Sequence, residues 1–152
     1  MATVIVHRLA SSKKALVACQ LVEELYLAGE KVVVFLADQG RAATWDQYLW
    51  TFAQNSFVPH AAPGAMAGCE DAVVIAAGQL PAVVASRVLV IVDGFPPVDR
   101  LVEFEEVHDL VAPTAEDANR RDHWTGLGLA VVEVDGAHRG PRRPSETQVA
   151  SA

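Results

Sequence analysis

Short apolar runs and longer amphipathic stretches alternate along this chain. Residues 3–6 are apolar and rich in β-branched side chains, and read as a first strand. Ser11 and Ser12 stand where they can cap a helix that runs from Lys13 to about Leu27. Ala15, Ala18, Cys19, Val22 and Leu25 share one face of it, and Gly29 stops it. Residues 31–36 contain the unbroken run Val32-Val33-Val34-Phe35, the pattern of a strand covered on both faces. Asp38 to Gly40 opens a second helix that ends near Phe52, and residues 54–68, with Pro59, Pro63 and Gly64, read as a loop. Residues 72–75 and 88–92 are two more strands, and a short helix follows over about 97–105. Residues 107–111 form a fifth strand. Pro113 at the first helical position, with Thr114 beside it, begins a last helix that runs through Trp124. Gly126 and Gly128 end it, and residues 129–134 are the final strand. Strands alternating with helices predict a three-layer α/β fold around an open, mainly parallel sheet, in a single domain.

Residues 136–152 break the pattern. They hold Arg139, Arg142, Arg143, Pro141 and Pro144 without apolar periodicity. The expected division is therefore an α/β domain over 1–135 and a basic, disordered tail over 136–152. The tail contributes +2 to a net charge of −7, so the remainder carries −9. A protein gripping DNA phosphates with its whole surface would carry the opposite excess, so any role near DNA is expected to be indirect. Hydrophobic residues make up 51% of the chain, enough for a true core. No apolar signal segment opens the chain and no run is long enough to span a membrane, so a cytoplasmic location is expected, with Cys19 and Cys69 as free thiols.

Catalytic patterns are sparse. GxxxxGK[ST] is absent, and no GxGxxG follows the first strand. Gly126-Leu127-Gly128 precedes a strand rather than a helix, so no helix N-terminus is there to hold a pyrophosphate. Residues 88–93 look like a Walker B strand, but without a phosphate loop Asp93-Gly94 reads as a turn. His7, His60, His108, His123 and His138 show no metal-ligand spacing, so neither metal nor cofactor is expected. Cys19 reads as a core thiol, and Glu103, Glu105 and Glu106 as a solvated helix end.

The strongest local signal is Leu49-Trp50-Thr51-Phe52-Ala53-Gln54-Asn55-Ser56-Phe57-Val58-Pro59-His60, which carries large aromatics at a helix-to-loop junction. Aromatics on a proline-ended loop can fill a core or anchor an interface. This string resembles the corresponding segment of the DNA polymerase III chi subunit family. Supporting blocks occur in order: Ala18-Cys19-Gln20-Leu21-Val22, Gly29-Glu30-Lys31-Val32-Val33-Val34, Val90 to Asp93 with Pro96-Pro97, Phe104-Glu105-Glu106-Val107, and the Arg-rich stretch from Ala118 to Trp124. The resemblance covers residues 3–134. It implies a Rossmann-like fold that is not catalytic on its own but serves as an accessory subunit of the polymerase holoenzyme. It implies two partner surfaces. Trp50 and Phe57 match the positions that meet the psi subunit, or its equivalent, on the clamp-loader side. Arg120, Arg121, His123 and Trp124 match the basic and aromatic positions that take the acidic, Phe-ended C-terminal tail of single-stranded DNA-binding protein. Arg can pair bidentately with a carboxylate and Trp offers apolar area. At three residues apart on a helix, Arg121 and Trp124 are expected to share a face. Asp117 and Asp122 put negative charge among these residues. A monomer or heterodimer is expected.

Two other functions fit the same pattern. One is a nucleotide-dependent enzyme on a Rossmann-like sheet, which rests on fold analogy alone. The other is an adaptor for a repair helicase through the Trp50/Phe57 surface.

Overall fold

The computed structural model describes residues 2–52, 73–82, 84 and 86–136. Six strands form one sheet: β1 (Thr3–Arg8), β2 (Val32–Leu36), β3 (Val73–Ala77), β4 (Val88–Ile91), β5 (Glu106–Val111) and β6 (Ala130–Asp135). Their order is β3-β2-β4-β5-β1-β6, and every pairing is parallel. The expected open, mainly parallel sheet is thus all-parallel among the described residues. Parallel neighbours need crossover connections, and these put helices on both faces. Every residue of β2 and of β4 is accordingly buried, as their unbroken apolar runs require.

Helices α1 (Lys14–Leu27) and α2 (Gln39–Thr51) cover one face. There Leu21, Leu25, Trp45 and Leu49 pack against Val32, Val34, Val90 and Leu110. A 3-10 segment (Val98–Glu103) and α3 (Arg120–Gly126) cover the other face, where Leu101, Phe104 and Trp124 meet Phe35, Leu89 and Val107. Cys19 lies in the first of these cores as a free thiol, and burial pushes it up to about 12.

Helix ends follow local chemistry, with two differences from the expected pattern. Gly29 adopts a φ of +86°, which glycine supplies without penalty, just past the end of α1. Asp38 caps α2 by accepting from the Arg41 N–H at 2.8 Å. The start of α1 departs from the serine cap: the flanking residue is Lys13, and the Lys14 N–H donates to the Ser12 carbonyl at 2.8 Å. The last helix also begins later than Pro113. Turns occupy the stretch before Arg120, because the Asp117 carboxylate accepts from the Ala112 N–H at 2.9 Å and binds Lys14 at 2.9 Å. These bonds hold the backbone away from the path of a helix started at Pro113.

Asp93-Gly94 forms a turn, as expected. Asp93 Oδ1 accepts from the Ala37 N–H at 2.5 Å and Oδ2 accepts from Arg41 at 3.3 Å, which stitches the ends of β2 and β4 together. Gly94 has a φ of +73°, and a Cβ there would lie 2.9 Å from the Ala37 Cβ. Gly94→Ala is expected to cost about 1–2 kcal/mol from the left-handed backbone, with the overlap adding to it. A lowered denaturant midpoint with an unchanged slope would register this.

Candidate functional site

Asp109 points from the middle of β5 into the face covered by α3, and is fully buried. Burial pushes its carboxyl up from the ordinary value, while Arg120 and Trp124 pull it back down. Arg120 Nε lies 3.0 Å from both carboxylate oxygens, and Arg120 Nη2 lies 2.9 Å from Oδ1. Trp124 Nε1 donates to Oδ2 at 2.7 Å. All these contacts are N–H donors, so they complement the ionised form. Arg120 Nη2 also donates to the Gly94 carbonyl at 2.7 Å, and its guanidinium stacks 4.0 Å from the centre of the Phe95 ring. A helix of 7 residues has little stability of its own. Asp109 therefore fixes α3 to the sheet and, through Arg120, fixes the loop after β4.

The predicted site residues divide into inward and outward groups. Arg120 and Trp124, four apart, point inward and are buried. Arg121 points outward and pairs with Glu133 of β6. Arg121 and Trp124 therefore do not share an exposed face: the i, i+4 pair is the one that meets, around a partner on β5. His123 packs at a tilt against Phe95, ring centres 4.0 Å apart, and edge-on to Trp124 at 5.1 Å. Its Nε2 is buried without a hydrogen-bond partner among the described residues. Phe95 is 43% exposed, so this cluster shows an aromatic edge to solvent. Of the two acidic residues near α3, Asp117 is occupied by Lys14 and the Ala112 N–H, and Asp122 is exposed. Sequence reasoning missed Asp109 and Phe95. The signal for Asp109 was available: a carboxylate between His108 and Leu110, inside a strand covered on both faces, must find a buried partner.

On α2, Trp50 is 42% exposed and Tyr48 37%. Phe57, the other residue expected on that surface, lies outside the described residues, as do Cys69, His60 and the tail beyond Gly136.

The sheet has a switch point between β2 and β4, from which the chain departs to opposite sides. Open α/β sheets commonly bind ligands at such crevices. A cavity of about 320 Å³ opens here, lined in part by Leu36, Arg41, Trp45, Tyr48 and Asp93. Asp38 caps the α2 N-terminus and Asp93 ties the two strand ends. Arg41, the cation in this lining, is paired with both Asp38 and Asp93, so the crevice offers a phosphate no uncommitted positive side chain among the described residues.

Fold and anchor together define an open-sheet α/β protein in which a buried carboxylate locks a short, cation-rich helix onto one face. The profile of the family described as DNA polymerase III chi subunit, HolC, matches residues 1–132. The chain belongs to that family, and so to the accessory subunits that associate with the polymerase III clamp-loader complex. No curated protein matches the chain in sequence. Among the described residues no helix is long and apolar enough to cross a membrane.

Proposed function

We propose that this protein links the clamp loader of the DNA polymerase III holoenzyme to single-stranded DNA-binding protein, and that it does so from the cytoplasm without catalysis of its own. The observation that carries this reading is the family match across nearly the whole folded part of the chain. Two surfaces divide the work. The surface carrying Trp50 and Phe57 meets a psi-type subunit; the exposure of Trp50 on α2 supports this, because a half-exposed Trp is a common interface anchor. The α3 region takes the acidic, Phe-ended tail of single-stranded DNA-binding protein. There Arg121 and His123 act as contact residues, and Arg120 and Trp124 position the helix from beneath. Phe95, packed on His123, adds apolar area for the tail's Phe.

The test is a fluorescence-anisotropy titration of a labelled peptide copying that tail, at low and at physiological salt. Binding is expected to weaken with salt, because the contact is between opposite charges on a surface. Arg121→Glu is expected to reduce affinity at least tenfold, about 1.4 kcal/mol, with no change in melting temperature beyond the loss of its exposed pair with Glu133. Equal binding by Arg121→Glu and the parent protein would move the tail site away from α3. Recovery of neither psi nor clamp-loader proteins on co-purification would turn the Trp50 surface toward another partner, such as a repair helicase.

A further inference from the structure

On the α1 side of the sheet, three titratable side chains form one hydrogen-bonded line. His7 of β1 and His108 of β5 are both fully buried, with near-parallel rings whose centres are 5.0 Å apart. His7 Nδ1 lies 3.1 Å from the Gly136 carbonyl oxygen, just past β6. His7 Nε2 lies 2.8 Å from His108 Nδ1. His108 Nε2 lies 2.9 Å from Glu106 Oε1.

The ends of this line fix its proton count. A carbonyl oxygen only accepts, so His7 Nδ1 must carry a hydrogen. An ionised carboxylate also only accepts, so His108 Nε2 must carry one too. The contact between the rings needs a third. Two neutral imidazoles supply only two. If Glu106 were instead protonated, it would donate to His108 Nε2, and the rings would then be satisfied as neutral tautomers. Either arrangement holds the same total. We infer that His7, His108 and Glu106 form a buried proton-binding site, which in the folded protein holds one proton beyond those of two neutral imidazoles and a carboxylate.

The charged surroundings are mixed. Arg87, preceding β4, comes within 4.0 Å of Glu106 Oε2, but also binds Glu30 at 2.7 Å and Glu105 at 3.1 Å. On α1, Lys14 is bound to Asp117, Glu23 and Glu24 are half-buried, and the Cys19 thiol is neutral. Asp109 with Arg120 occupies the opposite face of the sheet, and Arg8 at the end of β1 pairs with Glu133 and Asp135.

The site links folding to pH. In the unfolded chain the two His lose their charge near pH 6.5, about their ordinary value. Above that range the unfolded chain binds no excess proton and the folded chain binds one, so stability falls as pH rises until the folded site gives its proton up. Glu106→Gln removes the requirement. A Gln amide N–H can donate to His108 Nε2, His108 Nδ1–H to His7 Nε2, and His7 Nδ1–H to Gly136, with every group satisfied and no extra proton.

The experiment uses the full chain and its Glu106→Gln variant. Nitrogen-15 NMR of the histidine rings with carbon-13 NMR of the Glu106 carboxyl at about pH 8 is expected to count three protons in the parent protein, either three on the rings or two on the rings and one on the carboxyl, and two ring protons in the variant. Denaturant titrations from about pH 5 to 9 are expected to show the ratio of folding constants, parent over variant, falling about tenfold per pH unit. Two ring protons together with an ionised Glu106 carboxylate in the parent protein at pH 8 would overturn the inference without need of the variant, and so would a ratio independent of pH.

Discussion

Arg120→Leu is expected to destabilise the folded protein by about 3–5 kcal/mol, because it leaves a buried carboxylate without its counter-ion. Asp109 has no exposed surface, and Arg120 supplies most of the donors around it. The same substitution strips the Gly94 carbonyl of its donor and Phe95 of the cation beneath its ring. The pH dependence has a definite sign. Burial already pushes the Asp109 carboxyl up, and without Arg120 it rises further. A carboxyl raised in the folded state favours folding below its unfolded value, about 3.9, and loses that contribution as pH rises through the folded value. The deficit of Arg120→Leu should therefore be largest near neutrality and shrink on acidification. Urea titrations at pH 7 and pH 5 would measure it. A loss under about 1 kcal/mol at pH 7 would show that the pair is more hydrated than its burial indicates. Adding Asp109→Asn to the variant should restore part of the loss, since the uncompensated charge is then gone.

Trp124→Ala is the second large effect, at about 3–5 kcal/mol for a buried Trp. It opens a cavity beside Phe35 and Val107 and also removes the donor 2.7 Å from Asp109. Trp124→Phe keeps most of the packing and removes only the bond, and is expected to cost about 1–3 kcal/mol. The pair of variants separates positioning from contact. If Trp124 holds α3 from beneath, Trp124→Phe should bind the single-stranded DNA-binding protein tail nearly as well as the parent at temperatures where it stays folded. Loss of binding in a folded Trp124→Phe would instead make the indole a contact residue. Because Trp124 and Arg120 share one carboxylate, their costs should not add, and a double-mutant cycle should give a coupling of about 0.5–3 kcal/mol.

Much of the architecture was legible because one physical rule wrote it repeatedly. A strand buried on both faces has to be apolar throughout, and Val32-Val33-Val34-Phe35 and residues 88–92 say so without help from distant chain. Gly29 and Asp38 announce helix ends by local chemistry. The start of α3 was not legible, because it depends on Asp117 reaching back to Ala112 and across to Lys14. The surface chemistry of α3 was misread for a similar reason. Helical spacing states which residues are neighbours but not which side faces the sheet. That was decided by Asp109, whose position relative to Arg120 follows only from the folded sheet. The His7–His108 line is a harder case, since the two residues sit on separate strands and meet only through the parallel pairing of β1 with β5.

That pairing also governs the order in which the chain can assemble. Thr3 of β1 is aligned with Glu106 on one side and Ala130 on the other. Among the described strands, the first in chain order is thus flanked by the fifth and sixth. At about 5–20 residues per second, β1 waits several seconds for either neighbour, while β2, β3 and β4 can already join one another. Its apolar residues Val4, Ile5 and Val6 stay uncovered during that interval. Closing so long a loop is slow. β1 therefore joins the sheet only after β5 has been made, and β6, which pairs with β1 at the edge, follows it.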